Sequence, residues 1–352
     1  MSEAARAHDD DATTSVQGRS IRQLPKVSLH DHLDGGLRPA TVLELGRAEG
    51  LDLPAATPET LADWFHAQSV SGSLVEYLKT FDLTIAVMQT EENLRRIARE
   101  FVEDLVADGV VCGEIRWAPE QHLTRGLSLD AAVAAVQAGI DEAVIAAGGR
   151  IRVGQLVSAM RQNDRGLEIA ELALRHRDAG VVGFDIAGPE AGFPASRMSD
   201  AFDLLLSEGL PITVHAGEAD GIESIRGAIV DGHALRLGHG VRIMEDIEVR
   251  DRGEGDVGLR LGRLAQWVKD RRMPLETSPS SNLDTQAFTG TRMDQHPLDL
   301  LFQVGFAVTI NTDNRLMSRT TLSRELGRVV DAFGYGLDEL LAFQLNAAEG
   351  AF

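Results

Sequence analysis

The chain has 352 residues, 43% hydrophobic and 25% charged, which is the balance of an ordinary globular protein large enough to bury a sizeable core. No apolar run approaches the roughly 18 to 20 residues needed to span a bilayer, so no membrane role is expected. A formal net charge of −20 disfavours nucleic-acid backbones and anionic membrane surfaces as partners and leaves a small neutral substrate open.

In chain order, the first segment is polar and acidic. Residues 1–20 read as a disordered tail, since they lack the basic head and apolar segment of a secretory signal. Short β-branched runs then alternate with helical patterns. Strands are expected at 26–29, 110–117, 151–158, 181–186, 211–214, 236–238, 274–276 and 306–310. Helices are expected at 131–147, 167–177, 199–208, 221–230, 259–271 and 298–303. Parallel neighbours need a crossover between them, so this order predicts one domain over 21–352. Its expected fold is α/β, a single (β/α)8 TIM-type barrel with a long helical insertion (39–109) after the first strand. A doubly wound open sheet is the alternative. Within the insertion, Leu74, Tyr77 and Phe81 fall on one helical face, as core packing or as a lid. The lone cysteine, Cys112, reads as a buried strand thiol, and a chain with one cysteine fits a reducing compartment, the cytoplasm.

Polar residues at the ends of these runs carry the chemistry. His30 and His32 are two apart on a strand, where side chains alternate, so both point to one face and can share an ion. A single strand histidine is more often a satisfied core group; the pair, joined by His215 and Asp313 at equivalent strand ends, favours a metal site. Three imidazoles and a carboxylate suit Zn²⁺, one per chain, with a water in a further position. Such a water can reach a pKa near 7, which hydrolysis needs. His239, between two glycines, is placed to accept its proton, although it also fits a plain turn residue. Glu218, three residues after His215, suits a general acid or base; the alternative is a first-turn glutamate facing a helix dipole. Strands one and eight become neighbours only if the sheet closes into a ring.

These residues lie in His-Asp-His-Leu-Asp-Gly (30–35), Phe-Asp-Ile-Ala-Gly (184–188), His-Ala-Gly-Glu (215–218), Gly-His-Gly (238–240), Ser-Pro-Ser-Ser-Asn (278–282) and Asn-Thr-Asp-Asn (311–314). Together and in this order they resemble the adenosine deaminase family of the amidohydrolase superfamily, from about residue 25 to 352. The resemblance implies a zinc-bound hydroxide that attacks C6 of a purine nucleoside and expels ammonia. It implies that Glu218 protonates ring N1, that His239 activates the water, and that His30, His32, His215 and Asp313 bind zinc. It further implies substrate contacts from His32, from Asp34 to a ribose hydroxyl, from the Gly188 N–H to N3, and from position 314 to N7. The family usually has aspartate where this chain has Asn314, whose amide can donate to N7 without a protonated carboxyl. The continuation Arg315-Leu316-Met317-Ser318 is associated with actinobacterial members.

Other readings are adenine, 6-aminodeoxyfutalosine or an N6-methylated purine as substrate, or an inactive nucleoside-binding relative. A dinuclear site bridged by a strand-four lysine is excluded, because no lysine lies between Lys79 and Lys269. A nucleic-acid deaminase conflicts with the acidic charge and with the missing Cys-x-x-Cys. Oligomeric state is not legible.

Overall fold

The computed structural model describes residues 12–70, 72–251 and 257–352. Eight parallel strands form its centre: β1 (Lys26–His32), β2 (Val110–Trp117), β3 (Arg152–Met160), β4 (Val181–Ala187), β5 (Thr213–Ala216), β6 (Arg236–His239), β7 (Leu275–Thr277) and β8 (Val308–Ile310). They make two four-stranded sheets, β1 to β4 and β5 to β8, each in sequential order. The sheets meet at both edges through single parallel bridges, Asp31 with Asp313 and Phe184 with Ile212. At the first seam the His32 N–H donates to the Asp313 carbonyl (2.8 Å) and the Asp313 N–H to that of His30 (2.9 Å). The expected eight-strand barrel is therefore observed, with two weak seams.

Helices cover the outside. The insertion after β1 holds α1 (Pro39–Ala48), α2 (Pro58–Ser69), α3 (Leu74–Leu78), α4 (Phe81–Ala86) and α5 (Glu91–Ala107). Around the ring follow α6 (Leu129–Ala146), α7 (Gly166–Arg175), α8 (Ser199–Glu208), α9 (Ile222–Val230), α10 (Arg263–Asp270), α11 (Pro279–Asp284), α12 (Leu298–Val304), α13 (Leu322–Phe333) and α14 (Leu337–Gly350). Local chemistry explains several starts. Thr90, Ser128 and Thr321 each accept an N–H three residues on, which satisfies a donor otherwise orphaned at a helix N-terminus. The last helix braces the β1/β8 seam: Gln344 accepts the Val27 N–H (2.7 Å) and Asn346 donates to the Val308 carbonyl (2.9 Å).

The barrel interior is polar at its centre. Glu276 of β7 touches Arg116 of β2 (2.6 Å), Arg236 of β6 (2.6 Å), His30 of β1 (3.0 Å) and Thr213 of β5 (3.1 Å), which four strands can supply only around one closed space. Arg236 also pairs with Glu114 of β2. Burial would raise the Glu276 carboxyl, but the two guanidinium groups hold it well below the usual range.

Four expectations need correction. Residues 1–11 of the expected tail lie outside the described residues, but Ser15–Val16 pairs with Arg19–Ser20 in a short hairpin whose Val16 is buried. Strand one runs to His32, so both histidines sit within it instead of after it. The expected helix at 259–271 starts only at Arg263, because residues up to Leu261 pair antiparallel with Ile247–Asp251 and the Asp246 carboxylate caps Leu264 and Ala265 (both 2.9 Å). Cys112 is half-buried, and its partial burial raises the thiol pKa. Among the described residues, no helix is long and apolar enough to cross a membrane.

Candidate active site

The carboxyl ends of the strands gather the expected residues at one place. One ligand atom from each of His30, His32, His215 and Asp313 lies within 4.8 Å of all the others. The His32 and His215 Nε2 atoms are 3.2 Å apart, and Asp313 Oδ1 is 3.3 Å from Nε2 of both His30 and His32. His30 Nε2 is buried without a hydrogen bond, an orphaned donor-acceptor pointing into this cluster. Close-set imidazole nitrogens facing a carboxylate are a donor set that a divalent ion fits.

The far sides of the imidazoles are fixed. His30 Nδ1 meets Glu276 (3.0 Å) and His215 Nδ1 meets Asp185 of β4 (2.8 Å), a carboxylate pairing that sets the tautomer and leaves Nε2 for a cation. Burial would raise Asp185, yet His215 and Arg116 hold it strongly depressed, so it stays ionised. Asp313 accepts from Ser281 (2.6 Å). Both Asp313 (φ 58°) and His239 (φ 66°) adopt left-handed backbone, a cost that aims side chains from the strand ends into the cavity.

Glu218 and His239 stand beside the cluster, with Glu218 Oε2 3.4 Å from His239 Nε2. Burial first, then the charges of Asp313 and Glu190, push the Glu218 carboxyl well above its ordinary value, which favours its protonated form. Thr285 donates to its other oxygen (3.0 Å). Burial and His30 hold His239 well below its ordinary value, so the ring is neutral; its Nδ1 faces the Asn282 amide at 3.0 Å.

A cavity of about 220 Å³ opens over these groups. His32, Asp34, Gly188, His215, Glu218, His239, Asp313 and Asn314 all line it, so every substrate contact expected from the sequence reaches one space. Its roof is apolar: Leu74, Tyr77 and Leu78 of α3 with Phe81 and Ile85 of α4. The expected single helical face is thus two short helices, and its side chains cover the pocket. Asp34 Oδ1 is buried with no hydrogen bond, and burial pushes its carboxyl up to about 7. Gly35 lets Asn314 approach, since a Cβ there would overlap the Asn314 side chain. At Gly188, φ of 95° is backbone that a side chain would strain.

Sequence reasoning missed Glu276, Asp185, Ser281, Asn282, Thr285 and Glu190. Asp185, Ser281 and Asn282 lie inside motifs already quoted, and Glu276 is the middle residue of a short buried strand, where an acidic residue is itself a signal. Thr285 and Glu190 lie in no quoted motif, and nothing in the pattern marks them.

An eight-stranded parallel barrel with this cluster at its carboxyl mouth has the layout of a metal-dependent hydrolase. Comparison with known proteins agrees. The adenosine deaminase family profile matches residues 25–352, and the chain belongs to that family. It is 53% identical over 336 residues to adenosine deaminase 1 of Streptomyces coelicolor, covering 94% of this chain and 83% of the relative. It is also 53% identical over 343 residues to adenosine deaminase of Mycobacterium leprae, covering 96% and 93%. Among solved structures, an N6-mAMP deaminase from Arabidopsis superposes with TM-score 0.77 at 28% identity, over 94% of each chain. An adenine deaminase from Arthrobacter aurescens shares the fold, with TM-score 0.79 at 24% identity over 93% and 94%.

Proposed function

We propose that this protein hydrolyses adenosine and 2′-deoxyadenosine to inosine and 2′-deoxyinosine with release of ammonia, using one zinc ion held by His30, His32, His215 and Asp313. The observation that carries this reading is a buried carboxyl of raised proton affinity, Glu218, in one cavity with three imidazoles and an aspartate. Nitrogen-rich borderline ligands with one hard oxygen favour zinc over magnesium or calcium. When bound, such an ion supplies Lewis acidity that brings the pKa of a water from about 15.7 towards 7.

The protein's own groups supply the rest. Glu218, whose protonated form its burial favours, gives its proton to purine N1 and removes the ring's resistance to attack at C6. His239 orients the attacking water and accepts its proton. Addition at C6 makes a tetrahedral carbon; as the C6–N bond breaks, the proton of the added hydroxyl passes to the leaving amine, ammonia departs, the C6 carbonyl forms, and the proton taken by His239 returns to Glu218. Asp34, with its unpaired oxygen, takes a ribose hydroxyl; the Gly188 N–H meets N3, and the Asn314 amide donates to N7. His32 borders both the ion and the sugar. A cytoplasmic enzyme would meet this soluble substrate directly.

A nucleotide substrate is the second reading, since a structural relative acts on N6-mAMP. Asp34 and Asp82 line the cavity, and among the described residues lining it there is no lysine or arginine to neutralise a phosphate. Ammonia or methylamine release should be compared across adenosine, deoxyadenosine, adenine, aminodeoxyfutalosine and N6-methyl-AMP. The two nucleosides should give the highest kcat/KM; faster turnover of any other member would replace this assignment.

A further inference from the structure

The loop that carries Glu218 leaves β5 and turns before α9, so its N–H groups have neither a ladder nor a helix to bond to. One side chain receives them. Glu190, in the loop after β4 and 3% exposed, accepts from the N–H groups of Gly217 (2.6 Å), Glu218 (3.0 Å), Ala219 (2.6 Å) and Asp220 (2.9 Å), and from the Ser224 hydroxyl (2.5 Å). Gly221, the cap residue of α9, has no side chain to receive any of these groups, and Glu190 receives those of 217–220 from a separate loop. We propose that Glu190 is the positioning residue for Glu218, its carboxylate clasping the 217–220 backbone so that the acid is held against N1 of the bound purine.

The residue type matters. Oε1 accepts from Gly217 and Ser224, and Oε2 accepts from the next three N–H groups, so both oxygens are used only as acceptors. A glutamine would present an amide donor to one of these donor sets and repel it. The same carboxylate lies close enough to Glu218 to favour its protonated form, which serves the acid role. Glu190 touches none of the four metal-binding side chains, so its loss should act on the proton-transfer step and leave the ion in place.

This inference rests on Glu218 being the acid, and the test separates the two. Glu190→Gln, Glu190→Asp and Ser224→Ala are purified and loaded with zinc, and each variant is compared with the wild type on whichever aminopurine the wild type deaminates. Glu190→Gln should lower kcat by about 10²-fold with KM changed by less than about threefold and the zinc content of the wild type. It should also lose affinity for purine riboside, whose C6 hydrate would resemble the tetrahedral stage and would need a proton at N1, more than for inosine. Should Glu190→Gln not fold, Glu190→Asp and Ser224→Ala decide, each lowering kcat by about threefold or more at constant KM. Wild-type kcat in these variants, or parallel losses of zinc, KM and both ligands, would overturn the inference. Absence of turnover in the wild type would instead refute the proposed function.

Discussion

In the proposed reaction Glu218 is the side chain on which turnover should depend most, because the ring must gain a proton while C6 is attacked. Replacing it by glutamine keeps shape and removes the proton. Zinc content, measured by elemental analysis, should stay at the wild-type level while kcat falls by about 10²- to 10⁴-fold; near-normal turnover would remove Glu218 from its role. The pH dependence has a definite sign. The Glu218 carboxyl is raised, so its proton is present below that raised value and is lost as pH climbs through it. A kcat profile should therefore fall on its alkaline side, and in Glu218→Gln this limb should vanish. Asn314→Asp should remain active, but its new carboxyl must hold a proton to donate to N7, so kcat/KM should decline at lower pH than in the wild type. Complete inactivity would contradict the N7 contact. At this scale the convergence of His30, His32, His215, Asp313 and Glu218 was legible because strand alternation and motif order expose it. Glu190 was not, since its five partners lie 27 to 34 residues away and meet it only through the fold.

Among the elements, β7 shows how a three-residue strand can organise the site. Its Glu276 is the common partner of two buried arginines and of the outer nitrogen of His30. Glu276→Gln should destabilise the fold by about 3 to 5 kcal/mol, because it strands Arg116 and Arg236 without their shared anion. The folded-state value is depressed, so this contribution is present above the ordinary carboxyl value of about 4.3 and fades as pH falls below it. Melting curves should show the wild type losing stability on acidification more steeply than the variant. In the roof, Phe81→Ala removes an aromatic face from the cavity and should raise KM about tenfold, near 1.4 kcal/mol, with kcat little changed. Seven of the eight strands were readable from runs containing β-branched residues; the short β6, Arg-Leu-Gly-His, has none. The hairpin preceding α10 was not, because residues 259–271 carry a helical pattern and only the Asp246 cap decides where the helix begins. The apolar stripe at Leu74, Tyr77 and Phe81 was visible, but whether it faced core or cavity depended on the turn between α3 and α4.

Across the whole molecule, the proposed function depends on closing the ring. Asp313 follows β8 and His30 and His32 belong to β1, so the site exists only where a single bridge and the α14 helix hold that seam together. An open sheet would keep the same strands and scatter the ligands. A strongly acidic surface matches a small uncharged substrate and repels polyanions. Ring closure could be inferred from the sequence only through chemistry, since nothing in the hydrophobic pattern of strands one and eight says that they touch. Ion and fold should then be coupled: removing metal with a chelator should lower the melting temperature, and restoring zinc should recover it. The most direct measurement is a zinc titration of metal-free protein, following ammonia release from adenosine. Activity should rise linearly and level off at one ion per chain, and His30→Ala should neither bind that ion tightly nor turn over; full activity without metal, or a requirement for two ions per chain, would contradict the account.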